Sequence, residues 1–251
     1  MMAEPYYDDG QITLYCGENE PLLLGVISPG ADAIVTDPPY GDTSLKWDRT
    51  PDPEWLELAA GLGVRSLWCF GSFRFWLTES QHFRPRWRYA QEIVWEKHNG
   101  SSFHADRFKR VHELAVHWYR GEWENLYKQP QFTLDVTART VRRKRRPPHT
   151  GHIEAGSYAS EDGGPRLMRS VLQVRSEHGR AVHPTQKPLG ILRPLIEYSV
   201  PVDGVVLDPF AGSGSTLVAA REVGRRAIGI EAREEYCEAA VKRLAQGVLA
   251  A

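Results

Sequence analysis

The strongest constraint on the fold is a segment near the C-terminal end in which a strand, a glycine turn, a helix and a second strand follow one another. An apolar run, Val205-Val206-Leu207, ends at Asp208 and is followed by the turn Phe210-Ala211-Gly212-Ser213-Gly214. The pattern predicts a helix over 215–223 and then a strand that ends at Glu231. Strands that alternate with helices in this way build a parallel sheet covered by helices, which predicts an α/β architecture.

The glycine turn predicts a nucleoside-binding site. Glycines let a backbone approach a ligand closely at the carboxyl end of a strand. An acid at the end of the second strand, here Glu231, can accept hydrogen bonds from both hydroxyls of a ribose. Because no third glycine follows Gly212 and Gly214 at the spacing of dinucleotide-binding turns, the segment suits a nucleoside better than a pyrophosphate. Taken alone, it is also compatible with a tight turn that binds nothing.

A second motif follows an apolar strand near the N-terminus. The run Ala33-Ile34-Val35-Thr36 stops at Asp37-Pro38-Pro39-Tyr40, because two prolines cannot continue a central strand. One function that such residues can serve is to activate an amino group on an aromatic base. This group is a poor nucleophile, because its lone pair is delocalised into the ring. The Asp37 carboxylate and the Pro38 carbonyl would hold its hydrogens and localise that lone pair, and Tyr40 would stack on the ring. The alternative is that these residues merely end a strand.

The rest of the chain also predicts alternating elements. Asp52-Pro53-Glu54 has the residues of a helix start, and a strand over 66–70 precedes a short helix over 74–82. Two further strands are predicted over 92–96 and 113–119, and the loop 99–109 between them is expected to close on a ligand. Near the C-terminal half, Pro194 is expected to kink or interrupt an apolar helix.

The middle of the chain, 121–180, is different in composition. The periodic pattern weakens there, and Gly, Pro, Ser and Arg become frequent, which predicts an insertion or a small lobe. A disordered linker is the alternative over 137–164. A net charge of −1 for the whole chain conceals a basic run in this stretch, which can neutralise the phosphates of a nucleic acid or form solvated surface. Its residues are Arg139, Arg142, Arg143, Lys144, Arg145 and Arg146.

Composition argues against a membrane protein and a disulfide scaffold. No apolar run approaches the roughly 18 residues that a membrane span needs, and the polar, acidic N-terminus does not fit a signal peptide. The three cysteines, Cys16, Cys69 and Cys237, are far apart and match no metal-binding spacing. We therefore expect reduced core thiols, no metal site and a cytoplasmic location.

Three segments, in this order, resemble the β-class of amino-methylating DNA methyltransferases. They are Thr36-Asp37-Pro38-Pro39-Tyr40-Gly41, His183-Pro184-Thr185-Gln186-Lys187-Pro188 and Asp208-Pro209-Phe210-Ala211-Gly212-Ser213-Gly214-Ser215-Thr216. The resemblance covers nearly all the chain outside 121–180. It implies a Rossmann-like S-adenosylmethionine-dependent methyltransferase fold in permuted order: a catalytic half over 1–120, a small target-recognition insertion over 121–180 and a cofactor-binding half over 181–251.

The resemblance also implies roles for individual residues. It places Asp37, Pro38, Pro39 and Tyr40 at the catalytic positions. It implies that S-adenosylmethionine is bound by Asp37, Thr185, Lys187, Asp208, Phe210, Ala211, Gly212, Ser213, Gly214, Ser215 and Glu231. Lys187 would meet the carboxylate of the cofactor, and Glu18 lies in a segment that resembles, less closely, the family's segment near the cofactor adenine. Glu18 stands where the family often has aspartate, and Ser215 stands where threonine is common.

The implied substrate is double-stranded DNA, with the target base flipped out of the stack and the basic run on phosphates. Aspartate as first residue of the tetrapeptide favours N6 of adenine, and N4 of cytosine is the alternative. A nucleotide-dependent oxidoreductase would leave two motifs without a function, and a non-catalytic DNA-binding protein would be expected to have lost Asp37. A homodimer and a cognate restriction endonuclease are both compatible with the sequence, and the expected host is a bacterial or phage-infected cell.

Overall fold

The computed structural model describes residues 4–18, 30–45, 47–101, 105–134, 139–143, 156–176 and 186–248. The strands in these ranges are β1 (Tyr7–Asp8), β2 (Ile12–Cys16), β3 (Ala33–Thr36), β4 (Ser66–Gly71), β5 (Arg88–Ser101), β6 (Arg110–Tyr119), β7 (Phe132–Thr133), β8 (Arg139–Arg143), β9 (Gly156–Ser160), β10 (Arg166–Leu167), β11 (Val171–Gln173), β12 (Val205–Asp208) and β13 (Arg226–Glu231). The α-helices are α1 (Glu54–Gly61), α2 (Phe73–Phe83), α3 (Leu189–Ser199), α4 (Ser215–Glu222) and α5 (Glu234–Val248), and Trp123–Asn125 forms a 3₁₀ turn.

The chain divides into two compact units. The larger unit comprises Met1–Gln129 and Ser170–Ala251, and the smaller comprises Pro130–Arg169. The smaller unit, which lies inside the predicted insertion 121–180, contains two antiparallel pairs, β7 with β10 and β8 with β9. The first part of the basic run, Arg139–Arg143, is therefore a strand rather than a linker.

A nine-stranded sheet forms the larger unit, with the order β1-β2-β13-β12-β3-β4-β6-β5-β11. The five strands from β2 to β4 in this order are parallel, and β6 inserts antiparallel between β4 and β5. In the parallel core Leu207 of β12 lies beside Ile34 of β3, so the two sequence motifs follow adjacent strands. Two strands from the C-terminal end of the chain, β13 and β12, therefore lie between strands from its N-terminal end, as the permuted order predicts.

The two central strands, β12 and β3, define a topological switch point. From β12 the chain passes through α4 to β13 on one side, and from β3 it passes through α1 to β4 on the other. Connections that diverge in this way leave a crevice outside the carboxyl ends of the two strands, where α/β proteins bind their ligands. Asp208 ends β12 and Asp37 follows β3, so both acids lie at this crevice.

Apolar residues of the central strands point alternately into two cores, one on each face of the sheet. On one face Val35 and Val206 pack with Leu192 of α3 and Leu217 of α4. On the other face Ile34 packs with residues of α1 and α2. All four residues of β3 and all four of β12 are buried, as expected for central parallel strands that are covered on both faces. The sheet edge that carries the two motifs is thus fixed by packing from both sides.

Two local predictions were wrong. The strand predicted over 92–96 continues as β5 to Ser101, so the first residues of the predicted loop 99–109 lie in a strand. Pairing with β6 resumes after an irregularity at Ser101, opposite Arg110, and the polar sequence of this end lacks the apolar alternation that would have indicated a strand. Pro194 does not interrupt α3, because its missing N–H removes one hydrogen bond while the neighbouring Leu195 and Ile196 remain packed in the core; a kink at this position stays a prediction.

Candidate active site

A cavity of about 800 Å³ opens at the switch point. Its lining includes Asp37 from the N-terminal motif, Gly212 and Glu231 from the C-terminal turn and strand, and Lys187 from the segment before α3. This volume is in the range of known ligand sites. The two motifs, separated by most of the chain, therefore share one cavity.

The Asp37-Pro38-Pro39-Tyr40 segment is held by short-range contacts around Asp37. The hydroxyl of Tyr40 donates to Oδ1 of Asp37, and the Tyr40 ring lies 5.3 Å from that of Phe75. Burial raises the pKa of Asp37, and the ammonium of Lys187 opposes that rise. Burial, followed by the charge of Asp37, raises the pKa of Tyr40 well above its usual value, so its hydroxyl remains a donor. Asp37 is thus an ionisable acceptor with a fixed orientation at the cavity wall.

The loop after the motif depends on Asp48, which sequence reasoning missed. Oδ1 of Asp48 accepts the backbone N–H groups of Tyr40 and Gly41, both at 2.9 Å, and Oδ2 accepts that of Thr43 at 2.7 Å. Burial would raise the pKa of Asp48, but the three N–H groups, together with the Thr43 side chain, lower it. A buried aspartate a few residues beyond a Pro-Pro turn could have signalled such a role, since carboxylates satisfy consecutive loop N–H groups.

Asp208 connects the cofactor turn to the catalytic strand. Its Oδ1 accepts the hydroxyl of Thr36 at 2.7 Å and the N–H of Phe210 at 3.1 Å. Burial raises the pKa of Asp208 to about 6, against the lowering effect of these hydrogen bonds. The Phe210 ring packs edge-on against Trp55 of α1, with centroids 5.4 Å apart.

The glycine turn is held against Glu231. Gly212 and Gly214 have φ angles of 51° and 76°, a conformation that L-residues with side chains rarely adopt. Oε2 of Glu231 accepts the N–H of Gly212 at 2.8 Å, and Oε1 accepts that of Arg233 at 2.9 Å. Burial raises the pKa of Glu231, and these two N–H groups oppose the rise. Each Glu231 oxygen keeps a further lone pair, so the carboxylate can still accept from two hydroxyls.

Arg243 of α5 fixes the small residues of the turn. It donates to the carbonyl of Ser213 at 2.6 Å and to the hydroxyls of Ser213 and Ser215 at 3.1 Å. Buried Ala211 donates its N–H to Ile230 at 2.8 Å, which ties the turn to β13. The two serines that the resemblance assigned to the cofactor therefore hold the turn in shape through Arg243.

Lys187 lies between two carboxylates. Its Nζ is 2.5 Å from Oδ2 of Asp37 and 3.3 Å from Oε2 of Glu113, and Lys97 holds the other oxygen of Glu113. Burial alone would lower the pKa of Lys187, but the two carboxylates raise it, so it stays an ammonium. The structure thus places the Lys187 ammonium on Asp37. Glu113 and Lys97 belong to neither motif.

The remaining predicted residues are placed as follows. Pro38 is buried, Pro39 is half-buried, and Glu18 lines the same cavity. Thr185, Lys144, Arg145 and Arg146 lie outside the described residues. Arg139, Arg142 and Arg143 are described through their backbone in β8. Trp95 of β5, which also lines the cavity, is a core residue that is 3% exposed.

The sheet order and the cavity at its switch point define the class: a Rossmann-like methyltransferase fold. The crystal structure of the M1.HpyAVI–SAM complex matches with a TM-score of 0.63 and 25% identity, over 93% of this chain and 98% of that one. PvuII DNA methyltransferase, described as cytosine-N4-specific, matches with a TM-score of 0.62, over 95% of this chain and 88% of that one. At 15% identity this second match shows the fold alone.

Sequence comparison then gives the family. The model of the DNA methylase family, which includes N6 and N4 enzymes, matches residues 31–242, and the chain belongs to this family. M.ScaI, a type II methyltransferase of Streptomyces caespitosus, is 27% identical over 265 aligned positions, which cover 97% of this chain and 84% of M.ScaI. The protein is a DNA methyltransferase, and its methyl donor is S-adenosylmethionine.

The cavity fits this donor. A methyl group added to Gly212 would meet no atom within 4 Å, so the space above the turn is open to a ligand. Glu231 offers two acceptor oxygens at the wall of the same cavity, as a ribose requires.

In the described ranges no group of three or more His, Cys, Asp or Glu side chains could hold a metal ion. Nor does any helix in the part of the chain that the structure describes have the length and apolarity to cross a membrane.

Proposed function

We propose that this DNA methyltransferase acts site-specifically on N6 of adenine in a flipped-out base. The observation that carries the proposal is the position of the Asp37 carboxylate, which lines the same cavity as the glycine turn and Glu231. Aspartate as the first residue of the tetrapeptide supports adenine. N4 of cytosine is the second candidate, because both target atoms are exocyclic amino nitrogens and the same acceptors serve both.

The chemistry assigned to the chain is orientation and hydrogen bonding. S-adenosylmethionine supplies, when bound, a methyl group already activated on a sulfonium. Asp37 and the Pro38 carbonyl accept the hydrogens of the target amino group and favour a localised lone pair. Glu231 and the turn around Gly212 hold the donor, so that alignment and preorganised charge account for most of the rate.

Duplex contacts are assigned to two regions. The amino group of a stacked base is inaccessible, so the base leaves the helix to reach Asp37. The basic run 139–146, on the smaller unit, is assigned to phosphates, which give affinity without sequence information. Neutralising Arg142, Arg143, Arg145 and Arg146 together is expected to weaken DNA binding and flatten its salt dependence. An unchanged slope would remove the run from the interface.

The target atom is tested by nucleoside analysis. The protein is incubated with tritiated S-adenosylmethionine and mixed-sequence duplex DNA, which is then digested to nucleosides. Label in N6-methyladenosine supports the proposal, and label in N4-methylcytidine selects the second candidate. Label confined to RNA or protein would contradict both.

The role of Asp37 is tested by substitution. Asp37→Ala should abolish methyl transfer and leave the affinity for S-adenosylmethionine largely intact, because the donor is held mainly by the turn and Glu231. Asp8→Ala is the control, since Asp8 is an exposed aspartate of β1 that lies outside the cavity lining. A fully active Asp37 variant would remove this residue from the mechanism.

A further inference from the structure

Buried charges beside Asp37 suggest a role for a residue outside the motifs, and the argument rests on the proposed function. Asp37, Lys187, Glu113 and Lys97 alternate in sign, and each contacts the next. Lys187 is 6% exposed and lies closer to Asp37 than to Glu113, at 2.5 Å and 3.3 Å. One ammonium is therefore shared by two carboxylates, only one of which belongs to the catalytic motif.

Asp37 is a weakened acceptor in this arrangement. One of its oxygens accepts the Tyr40 hydroxyl and the other accepts the Lys187 ammonium. Further lone pairs remain, but a carboxylate that is neutralised by a cation attracts a neutral N–H less strongly than one that is not. The substrate amine is thus bound best when Lys187 moves away from Asp37.

Among the described residues, Glu113 is the second carboxylate that contacts Lys187, so the ammonium can move towards it without losing its compensating charge. Oε2 of Glu113 is buried and makes no well-aligned hydrogen bond, although Lys187 lies 3.3 Å away. Burial would raise the pKa of Glu113, but Lys187 and Lys97 lower it to about 2, so the group stays ionised. A buried ammonium without a partner is strongly unfavourable, so Glu113 is the destination that keeps the charge paired.

Residues on neighbouring strands border the space between Asp37 and Glu113 in which the Lys187 ammonium would move. Glu113 lies opposite Trp95 in the β5–β6 register, and the Lys97 ammonium rests 4.6 Å from the Trp95 ring centroid. The Lys187 ammonium lies 5.3 Å from the Phe70 ring and 5.6 Å from the Tyr40 ring. Aromatic rings thus line its surroundings, and the two carboxylates mark the ends of a short path.

We propose that Glu113 is a positioning residue that takes up Lys187 when the target amino group binds Asp37. In this role Lys187 neutralises the charge of Asp37 before the base arrives. When Lys187 moves towards Glu113, the Asp37 carboxylate becomes a stronger acceptor for the amino group. Glu113 touches neither substrate nor donor in this role. It acts through Lys187.

A pH profile separates this role from simple structural support. The titratable and charged groups around Asp37 are Lys187, Glu113 and the Tyr40 hydroxyl, with Cys69 and Asp208 on the adjacent strands. The like charge of Glu113 raises the pKa of Asp37. Glu113→Gln should therefore move the acid limb of the methyl-transfer rate to lower pH while it reduces the plateau. A residue that only supports the fold would reduce the plateau and leave the limb unmoved.

The test compares Glu113→Gln with Glu92→Gln, which removes an exposed carboxylate from the same hairpin. Single-turnover transfer from saturating tritiated S-adenosylmethionine should fall by about 10²-fold in the first variant, as for a small misplacement of a reacting group. Calorimetric affinity for the donor should not change in either variant. Carbon-13 NMR of the Asp37 carboxyl in the donor-free protein should show a lowered pKa in Glu113→Gln, and Glu113→Asp should restore part of the rate.

A double-mutant cycle keeps the proposal falsifiable if Glu113→Gln is poorly folded. In a Lys187→Gln background the further change Glu113→Gln should cost little rate, because its partner is already absent. Strictly additive losses would overturn the proposal, as would a wild-type rate or an unmoved acid limb in Glu113→Gln. Counting total label in DNA makes the result independent of the target base. Nucleoside analysis of the wild-type product tests the proposed adenine specificity separately.

Discussion

The hydroxyl of Thr36 donates a 2.7 Å hydrogen bond to Oδ1 of Asp208. Thr36 is the last residue before the catalytic tetrapeptide, and Asp208 is the last residue of β12 before the cofactor turn. Both side chains are buried, at 1% and 3% exposed. This side-chain contact therefore adds to the backbone pairing of β3 with β12 and joins the segments that carry the two motifs at the edge of the sheet.

Thr36→Val should lower the free energy of unfolding by about 1.5–3 kcal/mol, the range for a buried hydrogen bond to a charged group. The variant should also raise the pKa of Asp208 further, since the Thr36 hydroxyl lowers it. Denaturant unfolding measures the first effect. Thr78→Val is the control, because the Thr78 hydroxyl bonds a carbonyl within its own helix. Equal losses of unfolding free energy in the two variants would show that the Thr36–Asp208 hydrogen bond stabilises the fold no more than a hydrogen bond within one helix does.

Asp208→Asn should change how stability depends on pH. The folded-state pKa of Asp208 is raised by burial to about 6, above the value of about 4 in an unfolded chain. The folded state thus holds this proton more tightly, and the wild type loses stability as pH rises through that window. The advantage of the variant should grow by about 2–3 kcal/mol between pH 4 and 7. Thermal unfolding across this range checks it, and parallel pH curves for the two proteins would contradict it.

Asp48→Asn should loosen the loop that carries Tyr40. Asparagine replaces one acceptor oxygen by an amide donor, which leaves at least one of the three loop N–H groups without a partner and costs about 1–3 kcal/mol. Because the N–H groups lower the pKa of Asp48, its contribution is present above the usual aspartate range and is lost as pH falls through the folded-state pKa, below about 4. Unfolding and methyl-transfer rates of this variant and of the exposed Asp106→Asn should differ clearly. Similar stabilities and rates for the two variants would show that Asp48 does not stabilise the loop.

Gly214→Ala and Gly212→Ala should separate folding from donor binding. Both residues have positive φ, but a methyl on Gly214 would lie 2.9 Å from Cβ of Ala240, whereas one on Gly212 meets open space. We expect losses in unfolding free energy of about 2–4 kcal/mol for Gly214→Ala and about 1–2 kcal/mol for Gly212→Ala. Calorimetry should show that Gly212→Ala loses more S-adenosylmethionine affinity than Gly214→Ala, relative to the loss of unfolding free energy in each variant. The reverse order would contradict the placement of the donor above Gly212.

Phe108→Ala should slow transfer to duplex DNA more than transfer to single strands. Phe108 is fully exposed between Arg107 and Lys109, and nearby Arg110 contacts Asp42 of the loop after the catalytic motif at 3.3 Å. An exposed aromatic ring beside cations at this rim suits insertion into a base stack, which is worth about 1–3 kcal/mol per base, or about tenfold or more in rate. Single-turnover rates on both substrates measure the effect. Phe73→Ala, on the exposed face of α2, should affect neither; equal effects of Phe108→Ala on both substrates would exclude insertion.

The architecture at the switch point was predictable because both motifs end strands. Parallel strands bring their carboxyl ends to one edge, so Asp37 and Glu231 were expected to share a site once a parallel sheet was inferred. The contacts of Lys187 were not predictable in the same way. The resemblance directed its ammonium to the donor's carboxylate, whereas in the structure it lies between Asp37 and Glu113.

Glu113 escaped prediction for a topological reason. It enters the cavity because β6 inserts antiparallel between β4 and β5, which brings its first residues to the reacting edge. A hydrophobic pattern identifies such a strand but does not state its neighbours or its direction. The very short strands β7 and β10 carry no periodic signal at all, and only their pairing defines them.

The central position of β12 and β13 has a consequence for biosynthesis. β2 and β3 are translated early, yet each pairs with a strand that is synthesised roughly two hundred residues later. Until then both have an unpaired edge, and the sheet lacks its middle. The sheet is therefore completed only after β12 and β13 have been translated, and chaperones that shield open strand edges should associate with the nascent chain until β13 has emerged.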